Sequence, residues 1–128
     1  MIIGIGTDII EIKRIRNIIH RYGDKFKKRC FLNNEIEKSE NQINSVNSYA
    51  KRYAAKEACS KALGIGFSRG YLWKDIEVDN NKYGKPLIKL HNQACKRIDN
   101  ITNKKYRIEV SLSDEKSYAI ANVIIFEI

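Results

Sequence analysis

Cysteine and histidine are scarce in this chain of 128 residues. The cysteines, Cys30, Cys59 and Cys95, are odd in number, widely spaced and never arranged as Cys-x-x-Cys. They read as reduced thiols of a cytoplasmic protein, not as a disulfide framework. Cys59 falls among alanines and Cys95 on an apolar stripe, so a nucleophilic thiol is not expected. With His20 and His91 the only histidines, a zinc site of His and Cys is not expected either. No stretch approaches the ~18 to 20 consecutive apolar residues that cross a bilayer. The apolar N-terminus lacks a basic leader and is interrupted at Asp8, which argues against a signal peptide. Repeats, flexible linkers and low-complexity tracts are missing too, and the expectation is one domain over residues 1–128.

What is present is globular in character. Hydrophobic residues make up 43% and charged residues 30%, and a chain this long buries roughly two thirds of the surface its unfolded form exposes. A core shared between identical subunits would still help a protein of this size. The formal net charge of +9 selects anionic partners: nucleic acid, a membrane surface, phosphorylated small molecules or an acidic protein. Much of it is concentrated between Lys13 and Arg29, where eight Lys or Arg residues face a single acid, Asp24. A nucleic-acid module would interleave stacking aromatics with such a run. Here the run holds only Tyr22 and Phe26, and neither nucleic acid nor membrane is the expected partner.

Residues 2–10 alternate as a strand, with Ile3, Ile5, Thr7 and Ile9 on one face and Gly4, Gly6 and Asp8 on the other. A nearly bare strand face marks close approach, either by a packed helix or by a ligand that Asp8 would meet. Ile12, Ile15, Ile18, Ile19 and Tyr22 follow at helical spacing, giving an amphipathic helix with a basic outer face. Asn33 or Asn34 starts a short polar helix through Glu40, and residues 42–48 read as a loop. The longest helix is capped by Asn47 or Ser48, built on Ala50, Ala54, Ala55, Ala58 and Ala62, and closed by Gly64. It aligns Tyr49, Tyr53, Glu57 and Lys61 in one row, with Lys56 beside them. A glycine-bearing loop at residues 64–70, a short strand at residues 76–78, a turn at residues 80–86 and a strand at residues 87–90 come next. A modest helix from Asn92 precedes two final strands, of which the last is apolar on both faces and therefore central or covered by another subunit. The expected fold is α+β, a largely antiparallel sheet with a long helix packed on it.

Two local constellations carry chemistry: Gly4-Ile5-Gly6-Thr7-Asp8-Ile9-Ile10-Glu11, and Arg52-Tyr53-Ala54-Ala55-Lys56-Glu57-Ala58 continuing to Lys61 and Gly64. The glycines do not form a dinucleotide fingerprint, since their spacing is wrong and the strand ends in an acid. Together the motifs resemble the phosphopantetheinyl transferase superfamily, whose signatures are a strand ending in Gly-x-Asp and a helix carrying aromatic-x-x-Lys-Glu-x-x-x-Lys. Gly84-Lys85-Pro86 and the segment at residues 110–119 extend the likeness to the short holo-acyl-carrier-protein synthase branch, in order, over the whole chain.

That resemblance implies transfer of the phosphopantetheine arm of coenzyme A to a serine of an acidic acyl carrier protein, releasing adenosine 3′,5′-bisphosphate. It implies that Asp8 and Glu57 hold Mg2+, a hard cation commonly bound by one or two carboxylates plus substrate phosphates. Asp8, Glu57 and Lys61 are the expected catalytic residues. Arg52, Lys56 and Lys61 would balance phosphate charge, with Gly64, Gly84, Lys85 and Pro86 around the nucleotide end of coenzyme A. Lys13, Arg14, Arg21 and Lys25 are the expected docking residues for the carrier protein. The family also implies a homotrimer with active sites between subunits. Many relatives have a histidine where this chain has Asp114. The acceptor of the serine proton therefore stays open among that carboxylate, Glu57 acting through water, and hydroxide on the metal.

Overall fold

The computed structural model describes residues 1–64 and 73–128. It is an α+β fold with a three-stranded antiparallel sheet in the order β1-β5-β4 and a two-stranded hairpin, β2-β3. In chain order the elements are β1 (Ile2–Glu11), α1 (Ile12–Tyr22), α2 (Asp24–Cys30), α3 (Asn33–Glu40) and α4 (Ser45–Ala62). After a single 3-10 turn (Trp73–Asp75) come β2 (Ile76–Asn80), β3 (Pro86–Leu90), α5 (Asn92–Ile101), β4 (Tyr106–Asp114) and β5 (Tyr118–Glu127). The glycine-bearing loop beyond Gly64 falls outside the described residues. Among the described residues, no helix is long and apolar enough to cross a membrane.

The fold realises the packed-helix reading of the bare strand face. A Cβ on Gly4 would lie 1.8 Å from the carbonyl oxygen of Ala62, and one on Gly6 would lie 1.9 Å from that of Ala58. The strand therefore touches the α4 backbone itself, and only glycine permits that approach. Opposite the glycines the helix is alanine-rich, with Ala54, Ala55, Ala58 and Ala62 buried. Asp8 continues the same strand face to the point where side chains of α4 can reach it.

The last strand is central, paired with β1 on one side and β4 on the other; Asp8 pairs with Ala121, and Ala121 with Leu112. Its Ala119, Ala121, Val123 and Ile125 are buried beneath α4, whereas Ile120 on the reverse face is exposed. That reverse face continues onto β1, where Ile5 is 70% and Ile9 59% exposed. One side of the sheet is thus a core, and the other exposes apolar residues on β1 and β5 beside a polar β4 edge of Arg107, Glu109, Ser111 and Ser113.

One helix boundary differs from expectation. α4 starts at Ser45, earlier than expected, capped by Asn44, whose side chain accepts from the Asn47 backbone N–H at 3.3 Å. Neither Asn47 nor Ser48 serves as the cap, because both side chains are engaged elsewhere. Asn47 Nδ2 donates to Asp114, and the Ser48 hydroxyl meets that of Ser39 at 2.9 Å. The basic run is also broken, since Gly23 at φ 55° separates α1 from α2. Gly64 closes α4 as expected, at φ +82°.

Replacing Gly6 with alanine should lower stability by about 2 kcal/mol or more, because the new methyl meets main chain that cannot yield. A denaturant titration of Gly6→Ala measures this, and an unchanged midpoint would refute so tight a contact.

Candidate active site

At the end of the glycine contact, β1 and α4 bring residues from distant parts of the chain together. Lys61 Nζ donates to Asp8 Oδ1 at 3.1 Å and to the Thr7 carbonyl oxygen at 3.0 Å. Glu57 lies one turn before Lys61 on the same helix row and feels Asp8 directly. Burial raises its pKa above the ordinary glutamate value and the Asp8 carboxylate raises it further, while Lys61 and Arg14 oppose the shift. Two carboxylates are therefore close enough to repel, with two cations at hand. The donor set is hard oxygen and suits a divalent cation such as Mg2+ completed by substrate phosphate. Among the described residues no third acid, His or Cys joins them.

Arg14 is on α1, which begins directly after β1, so the basic helix is tied to the carboxylates by chain connectivity. Lys13, Arg14 and Arg21 are exposed on α1, and Lys25 is exposed on α2 beyond the Gly23 break. Arg21 rests its guanidinium over the Tyr22 ring. Tyr53, one turn before Glu57, stacks on Trp73 with centroids 4.6 Å apart. Burial, and next Glu57, push its hydroxyl up to about 12. The row predicted on α4 thus grades along the helix. Tyr49 at its start is fully buried against Phe31 and donates to Glu40, whereas Glu57 and Lys61 at its end face the site.

A second feature lies around the helix. A cavity of about 890 Å³ is lined by Lys38, Asn44, Lys51, Arg52, Gly84 and Asp114, among others. Glu57 is six positions beyond Lys51, which places their rows about 120° apart around the helix axis. Asp114 accepts from Asn47 Nδ2 at 2.9 Å and pairs with Lys51 at 3.6 Å. It stands on β4, at the opposite edge of the sheet from Asp8 on β1. Gly84, in the left-handed region at φ +87°, and Lys85 lie in the β2-β3 turn on that same side, Pro86 opens β3, and Lys85 pairs with Glu109 at 3.1 Å. Within the chain, then, Asp8, Glu57 and Lys61 converge, as do Arg52 and Gly84, but the two groups do not meet. Gly64 belongs to neither, packing its Cα side toward Arg97.

Lys56 departs most from expectation. The family resemblance implies that it balances phosphate charge, yet its side chain and that of Glu35 are both 0% exposed and paired at 2.9 Å. Lys56 also donates to the carbonyl oxygens of Trp73 and Ile76, and Glu35 accepts from the backbone N–H groups of Leu32 and Val78. Neighbouring Lys56 and Glu57 thus point in different directions, one into the core and one into the site. Arg52 is similarly committed, donating to the Val78 carbonyl and to Asn80 Oδ1. Its Nε is buried without a hydrogen-bond partner among the described residues. Arg52 still forms part of the cavity wall, while Lys56 does not. Lys38, Asn44 and Lys51 were not anticipated, although the i, i+4 spacing of Asn47 and Lys51 was a usable signal. The thiols are unpaired, and burial pushes Cys30 up to about 11 and Cys59 to about 12, which keeps both protonated and inert.

Residues 4–123 match the family model described as the 4′-phosphopantetheinyl transferase superfamily. Over 127 residues the chain is 48% identical to a holo-[acyl-carrier-protein] synthase of Rhizobium meliloti, covering 98% of this chain and 91% of that protein. The fold matches the crystal structure of the holo-[acyl-carrier-protein] synthase from Neisseria meningitidis with a TM-score of 0.86 at 32% identity, covering 99% of this chain and 100% of the other. It also matches that of the Helicobacter pylori synthase in complex with coenzyme A, with a TM-score of 0.82, 32% identity, and coverage of 95% and 99%. The chain belongs to the 4′-phosphopantetheinyl transferase superfamily. Within it, the likeness to the holo-[acyl-carrier-protein] synthases runs over nearly the full length.

Removing one partner of a buried ion pair strands the other charge and costs about 3–5 kcal/mol. Glu35→Ala should therefore be strongly destabilised in urea, and Glu35→Leu combined with Lys56→Met should lose less than Glu35→Ala alone. A Glu35→Ala protein as stable as the parent would show that the pair contributes little.

Proposed function

We propose that this protein transfers the 4′-phosphopantetheine group from coenzyme A to a serine of an acidic apo-acyl-carrier protein, leaving adenosine 3′,5′-bisphosphate. The observation that carries the reading is the convergence of Asp8 and Glu57, far apart in sequence, beside Lys61 and at the foot of a basic helix. Transfer requires the serine oxygen to attack a phosphorus of the coenzyme A diphosphate in line, forming one P–O bond as another breaks. The serine proton goes to a base, and the diphosphate oxygens gather charge that must be neutralised.

Asp8 and Glu57 would hold Mg2+, which supplies that neutralisation when bound. Lys61 contributes a mobile point charge within reach of the same phosphate oxygens. Arg14 links this centre to the carrier protein. Arg14 and Arg21 lie seven residues apart, on one face of α1, and with Lys13 and Lys25 they offer a positive surface to an acidic partner. The cavity containing Lys38, Lys51 and Arg52 is of a size and charge to take the phosphorylated nucleotide end of coenzyme A, with Gly84, Lys85 and Pro86 at its rim. Unpaired thiols suit a reducing, cytoplasmic setting.

The two halves of the site lie on different sides of α4, and association of protomers would bring one half of each against the other half of its neighbour. The exposed apolar face carrying Ile5, Ile9, Tyr118 and Ile120 is a surface for such contact, and a homotrimer is the assembly we assign. Asp114 would then reach a reacting serine from the adjacent protomer.

The decisive assay mixes pure protein, coenzyme A, apo carrier protein and Mg2+, and reads the mass gained by the carrier. Asp8→Asn and Glu57→Gln should each reduce transfer by at least about a hundredfold while the protein stays folded, the scale expected when a charge-stabilising group is lost. Arg14→Glu should raise KM for the carrier more than KM for coenzyme A. Absence of transfer with any divalent metal would discard the activity. In sedimentation, a monomer retaining full activity would rule out the trimer.

A further inference from the structure

Asp8 is offered to a divalent cation by the proposed function, and a cation of the chain itself already holds it. Lys61 Nζ sits 3.1 Å from Asp8 Oδ1 and 3.0 Å from the Thr7 carbonyl oxygen. The ammonium is therefore anchored by both a side chain and the backbone of β1. Its side chain is nevertheless 50% exposed, against 16% for Asp8, so the flexible stem has space to carry the charge elsewhere while the carboxylate stays fixed. Lysine suits such a task better than arginine, because its charge is compact and not locked into a planar fork.

The charges around this point balance. Asp8 and Glu57 provide two negative charges, and Lys61 and Arg14, both of which act on Glu57, provide two positive ones. A divalent ion entering alone would place two further positive charges beside an ammonium bonded to the very carboxylate the ion needs. If a diphosphate enters with it, the incoming charges largely cancel and the ammonium gains new oxygens to bind. Like charges at such separations in a half-exposed site alter affinity by about a factor of ten.

We propose that Lys61 is the resident counter-ion of Asp8, competing with the divalent cation so that metal binds weakly by itself and tightly together with the diphosphate of coenzyme A. This rests on the reading of Asp8 and Glu57 as the metal-holding pair and adds to it the control of that site. Lys61 becomes an exchange group: on Asp8 when the diphosphate is absent, and free to move onto phosphate oxygen when metal and coenzyme A arrive together. Linkage makes the effect reciprocal, so metal must raise the affinity for coenzyme A by the same factor as coenzyme A raises the affinity for metal.

The test is direct binding of Mn2+, followed by electron paramagnetic resonance, to the full chain without nucleotide and then with coenzyme A. Lys61→Gln should bind Mn2+ about tenfold more tightly than the parent when nucleotide is absent, and should show a smaller gain on adding coenzyme A. Lys61→Arg, which keeps the charge, should remain weak, a distinction that loss of packing alone would not produce. Unchanged or weaker Mn2+ binding by Lys61→Gln would overturn the competition. Asp8→Asn keeps the two failures apart: if it binds Mn2+ as well as the parent does, the metal assignment itself falls, and this proposal with it.

Discussion

Contact between the β1 main chain and the α4 main chain governs the geometry of this protein. Most strand-helix interfaces are spaced by side chains, but here Gly4 and Gly6 leave nothing between the strand and the carbonyls of Ala62 and Ala58. That spacing lets the short carboxylate of Asp8 share a small volume with Glu57 and Lys61. It also explains the alanines of α4, since larger residues on the facing stripe would push the helix away. The proposed chemistry thus depends on the smallest side chains in the molecule.

Helix α4 serves several environments at once. Its alanine stripe presses on the sheet and, toward the N-terminal end, carries Asn47 and Lys51 to Asp114 and the cavity, while another row carries Glu57 and Lys61 to the carboxylate site. A further strip holds Lys56 and Arg52, which bond to Glu35 and to the carbonyls of β2. Those bonds fix the helix relative to α3 and the β2-β3 hairpin, and so relate the cavity to the carboxylates. A buried ion pair gives little net stability over an apolar substitute. Its value here is directional, because Glu35 accepts from Leu32 and Val78 as well as from Lys56.

Local features of the sequence were legible, and pairings at long range were not. The alternation of β1 marked its bare face, and the spacing of the isoleucines gave α1 without ambiguity. The α4 cap was misplaced because Asn44, Asn47 and Ser48 all have capping chemistry, and only tertiary partners decide which of them is free to use it. Gly23 divides the basic segment through a backbone turn that a count of charges does not detect. Lys56 adjoins Glu57 in the motif, yet one step along a helix turns a side chain by about 100°. Its true partner, Glu35, lies 21 positions away. The cavity was largely invisible for the same reason, being assembled from α3, α4, β4 and the β2-β3 turn.

Main-chain spacing at Gly4 and Gly6 also shapes how this protein can evolve. Distances set by backbone contact do not change when isoleucine drifts to valine or leucine elsewhere in the core. Neutral divergence can therefore accumulate around the carboxylates without altering their separation.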